Sequence, residues 1–258
     1  MSLVALVLAG SRAGSVDPLE SYAGVPHKVL IEIAGRTMIE RVVTALAAVA
    51  AVERIVIAIE RPELLDGLAG LQTCAKPWTT MPTQAGPSAT VAAAFAAIGA
   101  PLLVTTADHA LLETAWIEQF LAACPAGTDL CAALAESAAV TAAAPDSQRT
   151  WLRFAEGSYS GCNLFLLAGP PAAGVLTFWR EMEQLRKHPL RMVQQLGITF
   201  ALRYKAGRLG LQAAADRVGE LSGGARLAFV ELADGRAAID VDKPEDLDLV
   251  RRLVSSPG

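Results

Sequence analysis

Leu3-Val4-Ala5-Leu6-Val7-Leu8-Ala9-Gly10-Ser11-Arg12-Ala13-Gly14 decides the fold class. Residues 3 to 8 form an unbroken apolar run, which suits a strand buried on both faces of a parallel sheet. The Gly/Ser/Arg loop that follows at once is where such sheets place their ligands. Outward from this segment, Lys28-Val29-Leu30-Ile31-Glu32-Ile33 predicts a strand. A turn at Gly35 then leads into an amphipathic helix over 37–49 with Met38, Ile39, Val42, Val43 and Leu46 on its apolar face. A second buried strand is expected over 54–59 and a third over 102–106, which runs into Ala107-Asp108-His109. Between them Gly86-Pro87-Ser88 opens a helix of small residues over 89–98, with Pro87 suited to the first turn, and another helix follows over 114–123. Strands alternating with helices argue for an α/β sheet with right-handed crossovers.

Beyond residue 125 the alternation loosens. A strand is expected over 129–134, and a strand pair at 150–154 and 162–167 across the turn-rich Glu156-Gly157-Ser158-Tyr159-Ser160-Gly161. Helices over 172–186 and 190–204, a glycine-punctuated stretch, a strand over 227–232 and a closing helix over 244–253 complete the reading. No repeat or low-complexity linker divides the chain, so residues 1–258 are read as one domain with a specialised insertion in the second half.

Composition narrows the partners. Lys and Arg number 22 against 26 Asp and Glu, a formal charge of −4, so no global positive field exists to hold a polyanion and a dedicated nucleic-acid binder is excluded. Cys74, Cys124, Cys131 and Cys162 stand far apart, without metal-knuckle spacing or disulfide density, and read as small apolar residues in a reducing cytoplasm. The N-terminus lacks the basic region of a signal peptide. The apolar stretches around 42–52 and 89–104 are too short, or broken by Gly99 and Pro101, for the roughly 20 residues of a membrane span. A soluble, cytoplasmic protein is expected, with room for a peripheral membrane contact.

Three constellations carry chemistry. In the first, Gly10, Ser11 and Gly14 let backbone amides approach a phosphate chain, while Arg12 and Lys28 neutralise its charge; the competing reading is a turn with two solvated cations. The loop is neither a GxGxxG opening a helix nor a P-loop GK[ST]. In the second, Asp108 follows a parallel strand, where a carboxylate holds nucleotide-bound Mg²⁺ or caps the next helix. In the third, Asp240 and Asp242 of Ile239-Asp240-Val241-Asp242-Lys243-Pro244-Glu245 share one face if extended; alternatively Asp242 is a helix N-cap with Glu245 completing a capping box.

The order of these segments resembles the nucleotidyltransferases of the molybdenum-cofactor guanylyltransferase-like (MobA-like) group: a Leu-Ala-Gly loop, a Lys before an apolar strand, Gly-Pro-Ser-Ala-Thr-Val, Thr-Thr-Ala-Asp-His, then Ile-Asp-Val-Asp-Lys-Pro-Glu-Asp-Leu. The similarity spans 3–112 and 227–250 and is weak between. It implies a glycosyltransferase-A type fold, three-layered and Rossmann-like, with a mixed, mostly parallel sheet flanked by helices. Residues 1–125 would be the nucleotide-binding half and 126–226 the acceptor-binding region. Leu8, Ala9, Gly10 and Ser11 would lie along the nucleotide, Arg12 and Lys28 on its phosphates, and Ser88 near base or ribose. Asp108 and Asp242 would hold Mg²⁺ (or Mn²⁺), with Asp240 a weaker candidate, and Lys28, Asp108 and Asp242 would form the catalytic set. The loop departs from the family pattern, since Ser11 replaces a second glycine, Arg12 comes early, and 15–26 is long, with Asp17 and Glu20 adding negative charge.

The implied reaction is in-line attack of an acceptor phosphate on the α-phosphorus of a nucleoside triphosphate, CTP or GTP, with release of pyrophosphate. Arg149, Arg153 and Asn163 are the acceptor candidates: an amide suits a sugar or polyol hydroxyl, an arginine its phosphate. The acceptor is expected to be a phosphorylated small molecule or lipid-headgroup precursor. The aromatic, aliphatic and basic residues over 178–208 suit either helices packed on a core or helices lying at an anionic membrane. Competing readings are a glycosyltransferase that uses a sugar nucleotide and a non-catalytic nucleotide-binding accessory protein.

Overall fold

The computed structural model describes residues 3–11, 17–185 and 188–255; Arg12 lies outside them. The apolar run forms β1 (Leu3–Leu8), its alternate side chains entering two separate cores: Leu3, Ala5 and Val7 on one face, Val4 and Leu6 on the other. Burial on both faces is why the run does not alternate with polar residues. Then come α1 (Pro18–Ala23), a short 3₁₀ turn (Lys28–Leu30), the small hairpin β2 (Glu32–Ile33) and β3 (Arg36–Thr37), and α2 (Met38–Ala48). The expected strand at 28–33 is thus mostly a 3₁₀ turn. His27 caps it by accepting the Val29 N–H, and Val29, Ile31 and Ile33 alone face inward, which reads as strand periodicity in the sequence.

Helix α2 starts with a complete capping box between Thr37 and Glu40. The buried Glu40 carboxylate also accepts the Gly70 N–H at 2.7 Å, and these bonds outweigh burial and hold its pKa below the ordinary value. Next are β4 (Val52–Ala58), α3 (Ala69–Gln72), β5 (Trp78–Met81), α4 (Pro87–Ile98), β6 (Leu102–Thr106) and α5 (Thr114–Ala123). Strand β5 was not expected. It is short and edge-placed, so it carries little apolar signal.

The second half adds β7 (Leu130–Glu136), α6 (Ser137–Ala143), β8 (Leu152–Arg153) and β9 (Ser158–Leu167), then α7 (Ala172–Leu185), α8 (Pro189–Leu196), α9 (Ile198–Lys205) and α10 (Leu211–Leu221). Strand β10 (Leu227–Glu231), a 3₁₀ turn (Gly235–Ala238) and α11 (Pro244–Ser255) close the chain. The single helix expected over 190–204 is two, because Gly197 at φ 100° breaks it. Helix α10 fills part of the glycine-punctuated stretch.

The main sheet runs β10-β7-β9-β6-β1-β4-β5, with β8 paired to β9. Strands β5, β4, β1 and β6 are parallel, β9 is antiparallel to β6 and β7, and β10 is parallel to β7. With helices on both faces, this is the three-layer, mixed and mostly parallel arrangement that the sequence implies. The chain leaves β1 toward β4 and β5, then returns to β6 on the other side, so the topological switch falls between β1 and β6. Ligands of open α/β sheets bind in the crevice at that point.

Candidate functional site

At the C-terminal ends of β1 and β6 the backbones stay joined, Ala107 N–H donating to Leu8 O at 2.9 Å, and Asp108 then projects beyond the sheet. Its Oδ2 receives the Lys28 ammonium at 3.0 Å. The Lys28 and Asp108 side chains are only 16% and 13% exposed. Burial alone would lower the Lys28 pKa, but Asp108 and, farther off, Asp242 outweigh it and hold the ammonium above its usual range. The other oxygen, Asp108 Oδ1, is buried with no hydrogen-bond partner, as is Thr106 Oγ1 beside it in sequence. Buried polar atoms are almost always satisfied, so an acceptor left open next to a cation marks a place for a ligand.

The C-terminal Ile-Asp-Val-Asp segment reaches this crevice through the Val241 N–H, which donates to Asp108 O at 3.0 Å. Asp242 therefore lies beside the Lys28–Asp108 pair. Its side chain keeps an exposed solvent side. Loss of solvent on its protein side, then the Asp240 and Asp108 carboxylates, push its carboxyl up to about 6 against the opposing pull of Lys28 and Arg149. Asp242 is not the helix cap. Lys243 precedes the first helical residue, and Asp246 rather than Glu245 reaches back, its Oδ2 accepting the Asp242 N–H at 3.3 Å.

Asp240 turns the other way. Its Oδ1 is paired with Arg149, and its Oδ2 accepts from Asn163 Nδ2 at 2.7 Å. The Arg149 side chain, 8% exposed, also binds Asp246 Oδ1 at 3.2 Å, Ala238 O at 3.1 Å and Asp240 O at 3.2 Å. Burial works against this charge, but the Asp240 and Asp246 carboxylates outweigh it and raise its pKa. Asn163 gets its orientation from a bulge in β9, where the pairing steps from Ala132↔Phe165 to Leu134↔Gly161 and Asn163 takes φ 47°. Arg149 and Asn163 are thus brought to the aspartates and not to open solvent, whereas Arg153 on β8 is exposed. His109 is buried against Trp116, and burial pushes its pKa down to about 4 despite Asp240 and Asp108, so it is neutral at pH 7.

The loop after β1 closes on Glu20, already noted for its negative charge, and on Glu60, which the sequence reading did not single out. Ser11 N–H donates to Glu60 at 3.1 and 3.3 Å, and Ser11 Oγ lies 3.2 Å from Glu20 Oε1 and 3.0 Å from His27 Nε2. With Nδ1 accepting the Val29 N–H, the His27 proton is placed on Nε2, 3.1 Å from Glu60. An anion reaches the Ser11 amide only by displacing Glu60, so the loop offers acceptors that suit the donor groups of a base or ribose. Gly10 is needed there, because a Cβ would stand 2.5 Å from Thr83 Cγ2. Ser88, in the first turn of α4, is buried and hydrogen-bonded to Glu183 of α7. Glu60 stands two residues past β4, as Asp108 stands two residues past β6, and this is the one signal that could have found it.

Among the described residues, no cluster of three or more His, Cys, Asp or Glu is arranged to hold a metal by itself. Two hard carboxylate donors, one with an open oxygen, fit Mg²⁺ or Mn²⁺, which commonly takes one or two carboxylates and completes its shell with substrate phosphates and water.

Comparison with known proteins places the fold and the family. A hypothetical transferase from Thermus thermophilus superposes with a TM-score of 0.80 at 29% identity, over 96% of this chain and 100% of that one. CMP-2-keto-3-deoxy-manno-octonic acid synthetase, solved with CTP, gives 0.60 at 16% identity over 99% of each chain. The 4-diphosphocytidyl-2C-methyl-D-erythritol synthase of Anaerococcus prevotii gives 0.61 at 9% identity over 98% of this chain and 96% of that one. At those identities the last two speak for the shared fold alone. No curated protein matches the chain. The family description that matches runs from residue 5 to residue 205, most of the sequence, and the chain belongs to the MobA-like NTP transferase domain family.

Proposed function

We propose that the chain is a divalent-metal-dependent nucleotidyltransferase that moves a nucleoside monophosphate from CTP or GTP to a phosphorylated acceptor and releases pyrophosphate. The observation that carries this reading is the Lys28–Asp108 pair at the β1/β6 switch point, with one Asp108 oxygen buried and open and Asp242 tethered alongside. Lys28 supplies a fixed positive charge where triphosphate oxygens gather. Asp108 and Asp242 hold Mg²⁺ or Mn²⁺, which when bound neutralises phosphate charge. Leu8, Ala9, Gly10 and Ser11 line the nucleoside side, and Ser88 at the start of α4 frames its far end. Arg12, in a loop that departs from the family pattern, is kept in this set for its positive charge. Residues 1–125 serve the nucleotide and 126–226 the acceptor.

The second half also contributes the clamp of Arg149 and Asn163 on Asp240. We assign these side chains to positioning Asp240–Asp242, and leave the acceptor phosphate to Arg153, which is exposed. The chemistry needs two anions aligned and little proton traffic, so positioning and charge neutralisation supply most of the rate. No helix among the described residues is long and apolar enough to cross a membrane.

The test is a matrix of the four triphosphates against phosphorylated polyols, sugars and lipid-headgroup precursors, with Mg²⁺ or with chelator. Metal-dependent pyrophosphate release from CTP or GTP is expected. Release of nucleoside diphosphate from a sugar nucleotide, or nucleotide binding without turnover, would overturn the assignment.

A further inference from the structure

Helices α8 and α9 differ from every other long element in having no fully buried residue among those whose side chains are described. Their inner side is half-buried, through Met192, Val193 and Leu196 on α8 and Phe200 and Tyr204 on α9. Tyr204 meets the Phe154 ring edge-on with centroids 5.9 Å apart, so the pair is anchored to the body on that side. The outer side carries Leu190, Ile198 and Leu202, exposed by 80%, 67% and 61%. Ile198 and Leu202 are four residues apart on one helix, hence on one face. Among the described residues these are three of the four large hydrophobic side chains that stand open to solvent; the fourth, Tyr22, lies on α1.

Charge gathers on the same segment. From 186 to 208 the sequence holds Arg186, Lys187, Arg191, Arg203, Lys205 and Arg208 and no Asp or Glu, in a chain whose formal charge is −4. Arg191, Lys205 and Arg208 are exposed. The acidic groups that approach come from neighbouring helices: Glu181 of α7 receives Gln195, and Asp216 and Glu220 of α10 line the cleft behind α9 together with Arg203. Exposed aliphatic side chains interleaved with uncompensated cations, on helices too short to span a bilayer, match an anionic lipid interface: the aliphatics enter the acyl boundary and the cations meet headgroup phosphates.

We propose that the outer face of α8 and α9 is a peripheral docking surface for anionic membranes. The surface is independent of the nucleotide reading, because none of its residues lies at the β1/β6 crevice. The full chain is mixed with phosphatidylcholine vesicles containing about one third phosphatidylserine, and with vesicles of phosphatidylcholine alone, and bound protein is read by flotation. Binding to the anionic vesicles is expected, weakened by high salt and reduced at least about tenfold in Arg191→Glu/Lys205→Glu/Arg208→Glu and in Leu190→Ser/Ile198→Ser/Leu202→Ser. Unchanged melting temperatures in both variants show that the fold is kept; should the apolar triple variant melt early, Leu202→Ser alone with the charge variant decides. No flotation, equal binding to neutral vesicles, or binding that both variants retain overturns the proposal. So does a native dimer that dissociates in these variants, since the face would then belong to a second copy of the chain.

Discussion

Lys28 Nζ and Asp108 Oδ2 meet at 3.0 Å across 80 residues of sequence, in a crevice where both side chains are largely shielded from water. One comes from the 3₁₀ turn beyond α1, the other from the loop just past β6. An ion pair so placed is held by its surroundings, and each member becomes an uncompensated charge when the other is removed.

Asp108→Asn should therefore do two things at once. It removes a cation ligand, and it leaves the Lys28 ammonium without its main support, so that the lysine pKa falls. Pyrophosphate formation is expected to drop by roughly 10² to 10⁴. Lys28→Met should cost a similar factor, and the double variant scarcely more than either single one, because the two act as a unit. Strictly additive losses, or full activity in Asp108→Asn, would refute the pairing as a functional one.

Arg149 tests the difference between a ligand and a clamp. If its work is to hold Asp240 and Asp246, Arg149→Ala leaves two largely buried carboxylates without their cation and should cost about 3 to 5 kcal/mol in a denaturant titration. Asn163→Ala removes one charge-assisted hydrogen bond and should cost about 1.5 to 3 kcal/mol. Arg153→Ala, on an exposed strand position, should leave stability within about 0.5 kcal/mol and instead raise the KM for the acceptor. An Arg149→Ala protein of native stability with a raised acceptor KM would return that residue to the acceptor.

Much of this was legible in the sequence, and the exceptions have physical reasons. Strands β1 and β6 and helices α2, α5 and α11 announce themselves by an apolar run or stripe, α4 by its small residues after Gly86-Pro87, and their ends carry Pro, Gly or a capping box. That Lys28 and Asp108 belong to one site is what the motif order of the family implies; that they form an ion pair is seen only in the structure. What stayed hidden depends on long-range contact. Nothing near Arg149 in sequence says that it will be buried against Asp240, 91 residues away. Glu60 becomes a neighbour of Ser11 only when β1 and β4 lie side by side. The short β5 and the break at Gly197 are set by an edge position and by one backbone angle, neither of which leaves a periodic trace.

Asp242 makes the site sensitive to pH. A carboxyl raised to about 6 from 3.8 keeps its proton in the native state where the unfolded chain has lost it. Native stability without metal therefore falls as pH rises through that interval, while affinity for a divalent cation, which needs the ionised form, rises. Calorimetric titration with Mn²⁺ should show binding about tenfold weaker at pH 5 than at pH 7.5. Asp242→Asn should bind weakly at both values and lose most of the slope. Equal affinity of the unaltered protein at the two pH values would contradict the crowding of Asp108, Asp240 and Asp242.

The approach of the C-terminal segment depends on Gly235. A Cβ there would lie 2.2 Å from the Ala139 carbonyl and 2.3 Å from Val140 N, both backbone at α6, so the 3₁₀ turn that leads into Asp240 could not stay seated. Gly235→Ala should cost about 1 to 3 kcal/mol, lowering the melting temperature by about 3 to 10 °C. Its activity loss should exceed what the stability change explains, because Asp240 and Asp242 move with the turn. Gly161→Ala, where nothing stands within 4 Å, serves as the control and should melt close to the unaltered protein.

Glu60 separates binding from chemistry. Its carboxylate ties the Ser11 amide and His27 together at 3.1 Å each, beside the Gly10 backbone, and makes no contact with Lys28 or Asp108 among the hydrogen bonds and ion pairs of the described residues. If the loop grips the nucleoside, Glu60→Ala should raise the nucleotide KM by roughly tenfold with a smaller change in kcat, since an interaction present equally in ground and transition states is lost. Glu60→Gln keeps an acceptor for the Ser11 N–H but loses the charge, and should fall between the two. A loop that served the phosphates would behave oppositely: removing a negative charge from beside them would lower the KM. A lowered KM in both variants, with melting temperatures unchanged, would move the phosphate chain onto the Ser11 amide and displace the nucleoside from the place assigned to it.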